Sequence, residues 1–309
     1  MLKPKALKKG DTIGITATSS PTTEEKVRAA KTRLEEMGFR VKVAESCFSK
    51  HGYLAGNDQL RADNLNEMFA DQGIDGIICL RGGYGAPKIL DKVDFQLIKA
   101  NPKIFMGYSD ITALHMAMNQ ISGLVTFHGP MAASDIAGGL DDFSRYEFLK
   151  AITEPQPMGL IPNPENIKVE TLVEGRAEGV IIGGNLALIS ATMGTPYEIN
   201  TKGKIILLEE IGEEPYSVDR MLTQMALAGK FDDAAGIILG DWNDCQPKKH
   251  DESLSLMEVF QEIILPYGKP TIFNLKAGHC HPKVTIPFGV RGVLDATIGS
   301  LEIKESATI

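Results

Sequence analysis

Ile104-Phe105-Met106-Gly107-Tyr108-Ser109-Asp110-Ile111-Thr112 is a short apolar run, then Gly-Tyr-Ser-Asp, and then a helical pattern through Leu114, Ala117 and Met118. The spacing predicts a strand over 104–107, a sharp turn on Ser109 and a helix behind it. A serine on such a turn is pushed out of the backbone, and the helix start offers unbonded N–H groups to a developing negative charge. Gly107 relieves crowding at the turn, while Ile111 stands where such elbows often carry glycine. Two readings of the segment stand side by side: Ser109 is a nucleophile, or it only caps a helix, as serine commonly does.

Working outward, the first half repeats a strand-then-helix unit. Thr12 to Ala17 is strand-like, Thr22-x-x-Glu25 opens a helix like a capping box, and Gly38 stops it. Further strands are predicted at 41–44, 76–80 and 124–127. Strands separated by helices imply a parallel, doubly wound α/β sheet, whose ligands sit beyond the carboxyl ends of the strands. The loops after Leu80 and Gly107 therefore matter most. Between Ala151 and Glu165, Thr-Glu-Pro-Gln-Pro and Ile-Pro-Asn-Pro-Glu suit a linker, which divides the chain into 1–150, 151–165 and 166–309. Beyond it, strands are predicted at 167–173, 204–209, 234–239 and 270–275, and helices near 185–193, 215–228 and 253–265. A hairpin closes the chain at 293–303.

Two domains are the expectation for 309 residues. With 43% hydrophobic and 23% charged residues the composition is that of a globular protein, and the net charge of -8 argues against a nucleic-acid partner. Cys47, Cys79, Cys245 and Cys280 lack C-x-x-C spacing and read as reduced, buried thiols. The basic N-terminus lacks an apolar signal core, so the chain is expected in the cytoplasm. Residues 179–197 are uncharged but too rich in glycine and polar side chains for a membrane span, and read as a strand, a tight turn and a buried helix.

Arg81-Gly82-Gly83-Tyr84-Gly85 follows a predicted strand, and its glycines let backbone amides face a ligand. It reads as half of an oxyanion hole, as a phosphate loop without the usual Lys-Ser/Thr ending, or as a plain tight turn. A serine nucleophile needs a base, and His51, His115, His128, His250, His279 and His281 are available. His279 is best placed, in a loop after a predicted strand. His115 reads as a packed or half-exposed histidine, and His128 either lines the cleft or supports its turn. Lys204 to Glu210 is a buried strand ending in Glu209 and Glu210, of which only one can face the site because neighbours alternate sides. Serine, then acid, then histidine is an order that triad hydrolases use. A zinc site from His279, His281 and Cys280 with Asp241, Asp244 or Cys245 is the metal alternative, without a supporting helical motif.

These motifs together resemble the LD-carboxypeptidase family, the serine peptidases of family S66 that trim murein tetrapeptides. The segments are Gly10-Asp11 with Ile13-Gly14-Ile15 and Ser20-Pro21, Gly52-Tyr53-Leu54-Ala55-Gly56-Asn57-Asp58 with Arg61, the glycine loop 81–85, Gly107-Tyr108-Ser109-Asp110 and His128-Gly129-Pro130. Gly183-Gly184-Asn185-Leu186, Leu208 to Glu213 with Asp219-Arg220-Met221-Leu222, and Gly278-His279 with Pro282 and Pro287 complete the set. Glu210 stands where many relatives have aspartate, and Cys280-His281 fill variable positions.

The resemblance implies Ser109 as nucleophile, His279 as base, Glu209 as orienting acid, and an oxyanion hole from the N–H groups of Asp110 and Gly83. Arg81, Tyr84 and Asn185 are the positions assigned to substrate, with a structural ion pair as the ordinary reading of Arg81. The implied fold is an N-terminal flavodoxin-like or class I amidotransferase-like sheet with a smaller α/β domain holding a β-barrel-like sheet. A murein tetrapeptide substrate and a homodimer are implied, with no cofactor, no metal, no nucleic acid and no membrane. Relatives that inactivate microcin C-type peptidyl nucleotides form a second reading, which the single Trp242 and compact length disfavour. A third is a sensor that binds muropeptides without cutting them.

Overall fold

The computed structural model describes residues 1–248 and 252–309, so His250 lies outside the described residues. In chain order the elements are β1 (Thr12–Thr16), α1 (Glu24–Glu36), β2 (Arg40–Val43), α2 (Asp58–Ala70), β3 (Gly76–Cys79), α3 (Phe95–Ala100), β4 (Ile104–Gly107), α4 (Thr112–Ala117), β5 (Thr126–His128) and α5 (Asp142–Thr153). There follow β6 (Pro157–Leu160), β7 (Glu170–Val173), β8 (Arg176–Asn185), α6 (Leu186–Ala191), β9 (Lys204–Ile211), α7 (Pro215–Leu227), α8 (Lys230–Asp233), β10 (Gly236–Asn243), α9 (Leu256–Ile263), β11 (Thr271–Phe273), β12 (Ile286–Phe288), β13 (Arg291–Asp295) and β14 (Ser300–Ser306).

Side-chain caps set several of the helix starts. Asn57, Asp94 and Asp141 each accept from a backbone N–H in the first turn of α2, α3 and α5. The cap of α1 is Thr23, one residue beyond the expected Thr22, because the Thr23 hydroxyl reaches the Lys26 N–H. Glu24 and Glu25 then fill the first turn, where carboxylates face the positive end of the helix. A complete capping box does occur, at Ser255 and Glu258 of α9.

Two compact units result, and neither is continuous in sequence. One holds Met1–Pro157, Thr285–Gly289 and Ser306–Ile309; the other holds Met158–Val284 and Val290–Glu305. The stretch 151–165 contains the end of α5 and the whole of β6.

The first unit is built on a six-stranded sheet in the order β12-β5-β4-β3-β1-β2. Its five N-terminal strands are all parallel, in the flavodoxin-like order 2-1-3-4-5, and β12 adds an antiparallel edge against β5. Strands β3, β4 and β5 are buried along their whole length, as a parallel sheet covered on both faces requires. The topological reversal lies between β1 and β3, which feed the loops at 17–23 and 80–86.

The second unit carries an eight-stranded sheet in the order β6-β14-β13-β8-β9-β10-β11-β7. Strands β8 to β11 are parallel, and β13, β14 and β7 are antiparallel to their neighbours. The barrel-like sheet expected here is instead open and mixed, with β6 and β7 at its edges. Closure needs hydrogen-bonding edges, whereas β6 begins on Pro157 and runs into Pro162 and Pro164, which have no N–H to donate. The expected closing hairpin is β13–β14, with Gly292 opposite Ile303. All four cysteines are free and buried, and burial pushes the thiols of Cys47, Cys245 and Cys280 up to about 12. Among the described residues no helix is long and apolar enough to cross a membrane.

Phe105 anchors β4 immediately before the serine turn, fully buried, with its ring 6.1 Å from Phe69 and 5.5 Å from His115. Phe105→Ala is expected to cost about 3–5 kcal/mol of stability, read from urea unfolding with an unchanged slope.

Candidate active site

Strand β4 ends at Gly107, and the chain then turns so sharply that Ser109 adopts φ 64. For a residue with a Cβ this left-handed conformation is uncommon and marks a position held by its surroundings. A single turn over Ser109–Ile111 leads into α4. Ile111 does not crowd the turn, because Gly107 makes room for it: a Cβ at 107 would lie 2.8 Å from Ile111 Cγ1. The two residues fit as a pair, with the bare position on the strand instead of on the helix.

The glycine loop after β3 packs against this turn. A Cβ on Gly82 would lie 2.8 Å from Ser109 Oγ and 3.4 Å from the Asp110 nitrogen, so only glycine fits there. The Gly83 N–H has no acceptor among the described residues. The loop after β1 braces the other side, with Ser20 N–H donating to Gly82 O at 3.4 Å and Tyr84 N–H donating to Ser20 Oγ at 3.2 Å. Serine, glycine loop and Ser20 thus gather at the carboxyl ends of β4, β3 and β1, where a doubly wound sheet binds its ligands.

Arg81 forms no ion pair among the described residues, against the ordinary reading of it. Its one hydrogen bond is a 3.5 Å contact from Nη1 to Pro21 O, and its buried Nε has no partner there. Tyr84 is 47% exposed and its ring lies 5.9 Å from that of Tyr53.

In the second unit, Glu209 and Glu210 end the buried part of β9 and point to opposite sides. Glu209 accepts from His279 twice, at 2.7 Å from ring Nδ1 and at 3.2 Å from the backbone N–H. Gly278 is left-handed at φ 106, and a Cβ there would lie 2.3 Å from Glu209 Oε2, so the glycine before His279 admits the carboxylate. Asn243 Nδ2 donates to His279 O at 3.0 Å and steadies the same loop.

Glu210 turns instead to the start of α6. It accepts from Asn185 Nδ2 at 2.7 Å, Ala187 N–H at 2.7 Å and Ile211 N–H at 2.9 Å. Burial pushes its carboxyl up to about 7, with the Glu209 charge adding to the shift and the N–H donors opposing it. Asn185 is buried, with its Oδ1 capping α6 at the Leu188 N–H, so its amide serves Glu210 and the helix.

The remaining histidines are placed as follows. His115 is buried with Nε2 2.8 Å from Gly107 O, and burial lowers it to about 4. His128 is buried too, its ring 5.3 Å from Phe288 and 6.0 Å from Tyr108. His51 and His281 are exposed. Of the metal alternative, Asp241 pairs with Lys276 at 2.6 Å, and among the described residues no three His, Cys, Asp or Glu side chains are grouped to hold an ion. Sequence reasoning missed two side chains, the Ser19 hydroxyl, which donates to Asp110 Oδ2 at 2.5 Å, and Glu210 as the partner of α6. The signal for Ser19 was its place beside Ser20-Pro21.

The LD-carboxypeptidase N-terminal domain matches residues 13–129, and the LD-carboxypeptidase C-terminal domain matches residues 178–294. The chain belongs to the LD-carboxypeptidase family. It is a serine-type carboxypeptidase. A Bacillus subtilis protein named "Probable murein peptide carboxypeptidase" is 44% identical over 296 residues, 95% of this chain and 91% of that protein. The microcin C7 self-immunity protein MccF of Escherichia coli is 28% identical over 331 residues, 96% of this chain and 94% of its own. A solved MccF structure covers all of both chains with a TM-score of 0.93 at 26% identity. A muramoyltetrapeptide carboxypeptidase from Oxalobacter formigenes superposes with a TM-score of 0.84 at 28% identity, over 95% of this chain and 99% of that one.

In this LD-carboxypeptidase the raised Glu210 sets a pH dependence of stability. Between its unfolded value near 4.5 and its folded value near 7 the unfolded chain is ionised while the folded carboxyl holds its proton. The contribution is therefore complete below the lower value and lost as pH rises through the upper one. Unfolding free energy measured by urea is expected to fall less between pH 5 and pH 7.5 in Glu210→Gln than in the parent protein.

Proposed function

We propose that this carboxypeptidase releases the terminal D-alanine from murein tetrapeptides through Ser109, His279 and Glu209. The observation that carries the reading is the carboxylate–imidazole pair, Glu209 on Nδ1 of His279 at 2.7 Å. It is the arrangement that fixes a tautomer and orients a histidine as a general base. The left-handed Ser109 on its strand-to-helix turn supports the assignment of nucleophile.

With Nδ1 facing Glu209, Nε2 is the ring nitrogen assigned to the proton. Ser109 Oγ attacks the carbonyl carbon of the L-residue that precedes D-alanine as His279 takes the hydroxyl proton. The oxyanion that forms is assigned to the N–H groups of Gly83 and Asp110, whose segments meet at the serine. The C–N bond then breaks, the imidazolium proton goes to the departing amine, and an acyl-serine remains. Water, deprotonated by the same imidazole, hydrolyses the ester and restores Ser109. Arg81 is the proposed partner of the substrate's terminal carboxylate, since it opens the glycine loop and its guanidinium has no carboxylate of its own among the described residues. Tyr84 is the proposed apolar contact.

Cleavage of aminoacyl or peptidyl nucleotides at the same site is the second reading. The likeness to MccF, one of whose structures holds aspartyl sulfamoyl adenosine, favours it.

Mass spectrometry of a murein tetrapeptide and of a synthetic peptidyl-adenylate, each incubated with the protein in chelator, separates the two. Loss of one alanine from the tetrapeptide is expected. Ser109→Ala should lower the rate by about 10⁴-fold or more, and Glu209→Gln by roughly 10⁴-fold. Cleavage of the adenylate alone would overturn the murein assignment, and an active Ser109→Ala would overturn the nucleophile.

A further inference from the structure

The motif Asn57-Asp58 with Arg61 has no part in the chemistry above, yet it supplies the most deeply buried cation of the first unit. Arg61 lies on α2 and is fully buried. Its Nη2 donates to Asp58 Oδ1 at 2.5 Å, while Nη1 donates to Gly85 O at 2.8 Å and also to Thr18 O. Asp110, the residue after the serine, is equally buried, and its Oδ2 accepts from Ser19 Oγ at 2.5 Å and from the Ala86 N–H at 2.7 Å.

The two side chains therefore hold the same two segments. At Gly85–Ala86 the carbonyl side of one peptide unit is bound by Arg61 and its N–H side by Asp110. At Thr18–Ser19 the Thr18 carbonyl is bound by Arg61 and the Ser19 hydroxyl by Asp110. Gly85 accepts this arrangement only without a side chain, since a Cβ there would lie 2.5 Å from Arg61 Nη1. Between these two fixed points lie Ser20 and the loop that carries the Gly83 N–H.

We infer that the side chains of Arg61 and Asp110 are positioning residues of the oxyanion hole, clamping the glycine loop against the serine turn. The inference rests on the reading of Ser109 as nucleophile and Gly83 as oxyanion donor. Neither side chain touches substrate. Each acts through a loop whose displacement by about 1 Å is enough to lower turnover about 10²-fold. Simple structural support would lower the fraction of folded enzyme and leave each folded molecule at full speed.

The test uses the full-length protein and four variants, Arg61→Met, Arg61→Lys, Asp110→Leu and Asp110→Asn. Each is measured for kcat and KM on the cleaved peptide, thermal midpoint, and rate of Ser109 labelling by a fluorophosphonate. Labelling depends on the oxyanion donors and not on binding of the peptide. Arg61→Met and Asp110→Leu are expected to lose about 10²-fold or more in kcat and in labelling per folded molecule, with KM within about threefold. Asp110→Asn keeps one oxygen for both donors and should lose less, and Arg61→Lys should recover part of the loss. Those two variants retain size and polarity and decide the matter if the apolar pair does not fold. Unchanged kcat and labelling per folded molecule in the variants that fold would overturn the clamp. Ser109→Ala, run alongside, tests the underlying reading separately, since its activity does not depend on the clamp.

Discussion

A serine held at φ 64 between a buried strand and a helix is a constraint that its neighbourhood has to satisfy. The conformation is unfavourable for any residue with a Cβ, so it persists only where packing over-determines it. Around Ser109 that packing is made largely of missing side chains. Gly107 admits Ile111 and Gly82 admits the serine itself, while Gly83 lies so close to Ser20 that a Cβ would fall 2.3 Å from its hydroxyl. The first unit is thus built to bring three backbone segments closer than side chains would permit. It does so at the carboxyl ends of β1, β3 and β4, the place where a parallel sheet leaves room for a ligand.

The second unit solves a different problem with two adjacent carboxylates. Both are nearly inaccessible to water, and a buried carboxylate needs donors. Strand alternation sends Glu209 to His279 and Glu210 to the start of α6, so each finds N–H groups without competing for them. Glu210 takes its donors from Asn185, Ala187 and Ile211, which ties β9 to the turn where β8 gives way to α6. Glu209 is then free of structural duty at α6, and Gly278 lets the histidine loop descend onto it.

Much of the fold was legible because its signals are local. The alternation of apolar runs with helical patterns, the helix caps and Gly38 act within a few residues, and the strands and helices that the pattern predicts lie within a few positions of where it put them, while β6 forms inside the stretch read as a linker. The one-residue shift of the α1 cap from Thr22 to Thr23 is of the same local kind, since either threonine carries the needed hydroxyl. The openness of the second sheet was not legible. Whether two edges pair depends on strands far apart in the chain, and the prolines around β6 count against closure only once β6 is known to be an edge.

By itself, then, the sequence determined the class of fold, the order of its strands and helices, and the residues that resemble a serine carboxypeptidase site. Short-range periodicity and motif spacing carry that information. Tertiary structure alone decided what the buried polar side chains do: that Arg81 lacks an ion pair among the described residues, that Asn185 serves Glu210, and that Arg61 and Asp110 grip the same two loops. The partner of a buried charge is chosen by desolvation and by the geometry of whichever segments the sheet brings alongside. Those segments are separated by 24 residues for Arg61 and Gly85 and by 91 for Ser19 and Asp110, distances over which no local pattern extends.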